Sequence, residues 1–83
     1  MVLTLLAKPD CGLCREMRAV ADTVAPSFGL GVLERDVRED PEAERRYLFE
    51  IPVLFLGDEE IARHRITEEA LRQRLARAIR PAR

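Results

Sequence analysis

Long apolar runs are missing from this 83-residue chain. No segment approaches the roughly 18 apolar residues of a membrane span, so the sequence offers no transmembrane helix. Met1 to Ala7 is apolar, but it has neither a basic leader region nor a small-residue cleavage site, and it does not read as a signal peptide. An excess of one charge sign is missing too. Fourteen basic and fifteen acidic residues leave a net charge of -1. Nucleic acid and anionic membrane both require surplus basic charge, so neither is expected as a partner. Repeats, low-complexity tracts and linkers are absent, and residues 1–83 read as a single domain. Histidine is represented once, by His64, and cysteine twice, by Cys11 and Cys14. A structural zinc site usually needs four ligands, so no metal site is expected from this set.

What is present is an ordinary globular composition, 47% hydrophobic, with a high 35% of charged residues. Glu34 to Glu60 carries ten acids and four bases, whereas Arg63 to Arg83 carries seven arginines and two acids. This segregation reads as two oppositely charged solvated surfaces. The expected location is cytoplasmic. There cysteines are held reduced at rest, and a close pair reads as redox or metal chemistry rather than as a staple.

The apolar pattern changes period along the chain. Val2 to Ala7 is nearly all apolar, as in a central strand buried on both faces. From Cys11 the apolar residues Cys14, Met17, Val20 or Ala21, and Val24 recur at helical spacing, with Asp10 in the expected N-cap position and Pro26 near the end. Gly29 and Gly31 flank a turn, and Leu30 to Val37 reads as a second strand. Asp40-Pro41 opens a short helix that must end before Pro52. Pro52 to Leu56 is an apolar strand, Gly57-Asp58 a hairpin turn, and Glu60 to Arg65 an alternating edge strand. Thr67 caps a last helix with Ala70, Leu71, Leu75, Ala78 and Ile79 on one face, while Arg72, Arg74, Arg77 and Arg80 mostly face water. The order β-α-β-α-β-β-α combines a right-handed parallel unit with an antiparallel hairpin. It predicts a mixed four-stranded α/β sheet with helices on both faces. Tyr47, Phe49 and Phe55 are expected in the core or at its rim.

Cys11-Gly12-Leu13-Cys14 lies between the first strand and the first helical turn. Unpaired N–H groups and the helix dipole favour negative charge there, so a thiolate at Cys11 is stabilised and attacks disulfides more readily. Cys14, three residues on, can reach Cys11 and begins the apolar stripe, which makes it the less exposed of the two. The asymmetry suits a two-step exchange: Cys11 attacks, and Cys14 resolves the mixed disulfide. Lys8 is positioned to support the thiolate, while Asp10 opposes it. An iron–sulfur cluster shared between two chains, or a merely structural pair, stays open. Ile51-Pro52 is the second candidate site. From its spacing alone, a simple strand start and a cis bond are equally open.

Taken together, Lys8-Pro9-Asp10-Cys11-Gly12-Leu13-Cys14, Ile51-Pro52-Val53-Leu54, and Gly57 with the strand after it resemble the glutaredoxins. The closer likeness is to the short bacterial glutaredoxin-like proteins. The resemblance implies a thioredoxin fold with sheet order 2-1-3-4, Cys11 as nucleophile and Cys14 as resolving thiol. It also implies a cis peptide at Ile51-Pro52, facing the sulfurs. Lys8, Gly12, Leu13, Ile51 and Pro52 are then the expected substrate contacts. The implied activity is reduction of protein or glutathione mixed disulfides by a monomer that draws electrons from a separate reductant. No tightly bound cofactor is expected, and glutathione is a candidate co-substrate. Two features differ from the glutaredoxin pattern. Gly12-Leu13 replaces the usual Pro-Tyr, and Ala62 to Thr67 lacks the glycine pair of a glutathione site. The alternatives to an enzyme are a protein-docking module and an iron–sulfur or metal carrier. His64 and the arginines Arg63 and Arg65 read as solvated edge-strand residues.

Overall fold

The N-terminal apolar run becomes an inner strand of the sheet, because its side chains have protein on both sides. In the computed structural model, which describes residues 1–79, this strand is β1, Val2–Ala7. Helix α1 follows at Gly12–Val24, then a 3-10 turn at Ala25–Phe28 and strand β2 at Gly31–Asp36. A second 3-10 turn, Val37–Glu39, leads into helix α2, Pro41–Tyr47. Strands β3, Val53–Leu56, and β4, Glu59–Arg63, form the hairpin, and helix α3, Glu68–Ala78, closes the described chain. Arg80 lies outside the described residues. The sheet order is β2-β1-β3-β4, as the resemblance implies. β1 pairs parallel with β2, placing Ala7 opposite Asp36, and antiparallel with β3, placing Leu6 opposite Val53. Among the described residues, no helix is long and apolar enough to cross a membrane.

One face of the sheet carries the main core. Leu3, Leu5, Ala7, Leu54 and Leu56 pack there against Cys14, Met17, Ala21 and Val24 of α1 and against Leu71 and Leu75 of α3. The expected helical stripe is therefore the buried one, with Val20 half-buried at its margin. Each fully buried leucine contributes about 1.5–3 kcal/mol by leaving water.

The opposite face is thinner. Leu6 and Val53 are buried there, but α2 buries none of its own residues. Its Tyr47 meets Phe55 edge to face, with ring centroids 5.6 Å apart. Asp40 caps α2 by accepting the Glu42 N–H at 3.0 Å, and Pro41 takes the first position, as the dipeptide predicts. Phe49 departs from expectation. It is 90% exposed, because the turn after α2 carries it away from both apolar layers.

The edge strand β4 also differs from simple alternation. The register with β3 shifts between Leu54 and Phe55, so Phe55 pairs with Glu60 and Leu54 with Ala62. The bulge lets the consecutive residues Ile61 and Ala62 both enter the core. It leaves the Ile61 carbonyl to be met by the Arg74 guanidinium, which donates at 2.8 Å. Arg74 is thus not simply solvated, although its helix neighbour Arg72 is exposed and pairs with Glu68. Thr67 caps α3 as expected, accepting the Ala70 N–H at 3.1 Å.

Candidate active site

The cysteine loop leaves the end of β1 and enters α1 through a sharp turn. Asp10 has φ +60, a left-handed value open to Asp because its short polar side chain tolerates it. This turn moves the cap one residue along: Cys11, not Asp10, is the N-cap of α1. Its extended backbone (φ -114, ψ 107) points Sγ at the first helical turn, where it accepts the Cys14 N–H at 3.2 Å. Sulfur here stands where Ser or Asp usually accepts an orphan amide. The Cys11 carbonyl accepts the Arg15 N–H at 3.2 Å and starts the helix ladder.

Cys11 and Cys14 are joined in a disulfide with Cα atoms 5.2 Å apart. The environments of the two sulfurs differ. Cys14 is 3% exposed and belongs to the core, whereas Cys11 is half-buried and packs against it. Gly12 is exposed and Leu13 half-buried, so the middle of the motif forms part of the rim. Exposed Lys8 shares a surface groove with Cys14 and Arg15. The Arg15 guanidinium folds back towards Gly12, 3.8 Å from where a Cβ on that residue would stand. Arg18, at the far side of the groove, is taken up by Asp22 at 3.0 Å and Glu34 at 3.1 Å, and these hydrogen bonds raise its pKa.

The Ile51-Pro52 peptide is cis. Pro52 is buried, and continuing the β1–β3 register by one step sets it beside Ala7, at the end of the sheet from which the cysteine loop departs. Ile51 is half-buried and packs against the core. Among the described residues, the Ile51 N–H and carbonyl make no hydrogen bond, while the Pro52 carbonyl accepts the His64 N–H at 2.8 Å.

A charged cluster that sequence reading passed over flanks this segment. Arg63 grips Glu60 through two hydrogen bonds, Nε at 2.7 Å and Nη2 at 2.6 Å, and reaches Glu50 with Nη1 at 3.1 Å. Its guanidinium holds the Glu60 carboxyl below the ordinary carboxylate range. His64 places Nε2 3.0 Å from the same Glu50 oxygen. No local spacing announces this contact, because 14 residues of strand and hairpin separate the partners. On the other side, Arg38 binds Asp36 at 2.7 Å and lowers its carboxyl to about 2.

Comparison with known proteins agrees with this geometry. The family model described as "Glutaredoxin-like domain (DUF836)" matches residues 2–76. Among solved structures, thioredoxin 1 from the thermophilic eubacterium Thermosipho africanus TCF52B superposes with a TM-score of 0.66 at 24% identity. The match covers 94% of this chain and 93% of that one. A malarial protein matches with a TM-score of 0.65 at 16% identity over 92% of this chain and 93% of its own. Identities this low speak for the fold alone.

Proposed function

The chain belongs to the glutaredoxin-like domain family, and from that premise we propose that it is a thiol–disulfide oxidoreductase reducing protein or glutathione mixed disulfides. The observation that carries the reading is the unequal placement of the two sulfurs: a half-buried Cys11 Sγ capping a helix, bonded to a core Cys14. When the pair is reduced, the Cys14 N–H and the other first-turn amides stabilise a Cys11 thiolate, holding its pKa below that of a free cysteine. Exposed Lys8 adds positive charge and contacts the substrate.

The exchange runs in two steps. The Cys11 thiolate attacks one sulfur of the substrate disulfide; a Cys11–substrate disulfide forms and the other substrate sulfur leaves as thiolate. Cys14, having lost its proton to solvent, attacks Cys11 Sγ. The Cys11–Cys14 bond forms and the second substrate sulfur leaves. The substrate gains two electrons, and two external thiols must return them to the protein. Gly12 and Leu13 form the near rim of the substrate site, and Ile51 offers an extended substrate its free N–H and carbonyl beside Pro52. No tightly bound cofactor takes part; glutathione is a candidate source of the external thiols. The working unit is a monomer acting in the cytoplasm, away from nucleic acid and membrane.

Alkylation by iodoacetamide against pH, with mass spectrometry to assign the label, tests the chemistry. Cys11 is expected to react fast and to titrate below a free thiol, while Cys14 stays slow. Two thiols that both titrate like free cysteine would sink the enzyme reading in favour of a docking module. Cys14→Ser is expected to trap a mixed disulfide at Cys11.

A further inference from the structure

We propose that His64 is a positioning residue that, with Glu50, clamps the Ile51-Pro52 segment and so favours polypeptide disulfides over small ones. The inference rests on the oxidoreductase reading above and extends it to a class of substrate.

His64 follows the last residue of β4 and adopts φ +68, an uncommon conformation for a residue with a side chain. Two bonds follow from that turn. The backbone N–H donates to the Pro52 carbonyl at 2.8 Å, and the imidazole Nε2 meets Glu50 Oε1 at 3.0 Å. One residue therefore holds the chain on both sides of Ile51. Arg63 supports the clamp by donating to the same Glu50 oxygen at 3.1 Å while Glu60 fixes its guanidinium. The Glu50 N–H closes the turn from within by donating to the Tyr47 carbonyl at 2.8 Å.

Exposed ion pairs add little to global stability, so a stabilising role alone does not account for this arrangement. Its effect is local. Residues 50 and 52 are held, and the peptide groups of Ile51 between them are fixed without being used. An extended polypeptide can pair with an N–H and a carbonyl already set in one orientation, and it binds with less loss of entropy. A small disulfide without a peptide backbone gains nothing from that order. The clamp thus separates two kinds of substrate.

The full chain, reduced and then freed of reductant, is mixed with insulin or with bis(hydroxyethyl) disulfide, and formation of Cys11–Cys14 is followed after acid quench. His64→Asn keeps a residue that tolerates the left-handed turn and retains its N–H, but its shorter side chain falls short of Glu50. Glu50→Ala removes the other partner. In His64→Asn the insulin concentration giving half-maximal rate is expected to rise by about fivefold, the scale of one lost hydrogen bond, with the limiting rate unchanged. In Glu50→Ala, which also releases Arg63, it is expected to rise by at least as much, again with the limiting rate unchanged. Rates with the small disulfide stay at the wild-type level. The double variant is expected to lose no more than Glu50→Ala alone, because that change already removes the contact that His64→Asn breaks. Glu50→Gln, which keeps an acceptor oxygen, restores near wild-type insulin dependence. Unchanged insulin dependence in both single variants overturns the clamp, and so does an equal loss on both disulfides, which marks a general effect on the fold. Wild-type protein that neither disulfide oxidises would instead remove the oxidoreductase reading, and the clamp with it.

Discussion

The two faces of the sheet are built unequally. Under α1 and α3, side chains from both helices and all four strands interlock, and Leu3, Leu5, Leu54 and Leu56 are buried. Under α2, a seven-residue helix that buries none of its residues leaves Leu33 of β2 42% exposed and relies on the Tyr47–Phe55 contact. Both cysteines sit on the thick side, where Cys14 is itself a core residue. The exposed Phe49 and Glu50 belong to the segment that follows α2, and Arg63 and His64 reach Glu50 from the end of β4. The division teaches where packing is concentrated: the cysteine pair rests on the thickly packed face, and Ile51 packs against the same core.

The contrast is open to measurement. Leu71→Ala cuts the thick face and is expected to lower unfolding free energy by about 3 kcal/mol in chemical denaturation, as large-to-small core changes do. A loss under 1 kcal/mol would erase the distinction. Reduction of Cys11–Cys14 comes next. Opening so short a loop is expected to cost about 2 kcal/mol by loop entropy, read as a drop of roughly 10 °C in Tm on adding dithiothreitol. On the thin face, Tyr47→Ala is expected to cost only about 1 kcal/mol, the scale of one partly exposed aromatic pair. A cost matching that of Leu71→Ala would show that α2 anchors more than its packing indicates.

The smallest effect is electrostatic. The Asp36 carboxyl, hydrogen-bonded by Arg38, is lowered from 3.8 to about 2. A lowered carboxylate pKa stabilises the fold above 3.8, and that contribution disappears as pH falls through about 2. Asp36→Asn is therefore expected to flatten the decline of Tm between those pH values, lowering Tm slightly near neutral pH and leaving it unchanged once the wild-type carboxyl is protonated. A decline as steep as the wild type's would assign the acid sensitivity to another group.

Much of this was legible in the sequence, wherever a local rule governed. The stripe Cys14, Met17, Ala21 and Val24 follows from helical period, the start of α2 from Asp40-Pro41, and the start of α3 from Thr67. The cysteine pair was legible for the same reason, since its partners lie three residues apart. The misplaced cap is a different case: Asp10 and Cys11 are adjacent, and only a left-handed turn at Asp10 gives the place to sulfur. The bulge at Ile61 and Ala62 depends on the register with β3, which no single strand encodes. The hold of His64 on Pro52 and Glu50 arises across a hairpin, so it exists only once β3 and β4 have paired. Ile51-Pro52 falls between these cases: its residue types were visible, but its isomer became evident only through resemblance and structure.

The sheet order has a consequence for synthesis. β1 is made first but lies inside the sheet, and its neighbour β3 begins only at Val53. During translation Cys11 and Cys14 therefore leave the ribosome well before Ile51 and Pro52 can stand beside them. The nascent chain carries two thiols able to oxidise while the Ile51-Pro52 segment at the same end of the sheet is still unmade. The surroundings of the cysteine pair are thus completed only when the hairpin docks.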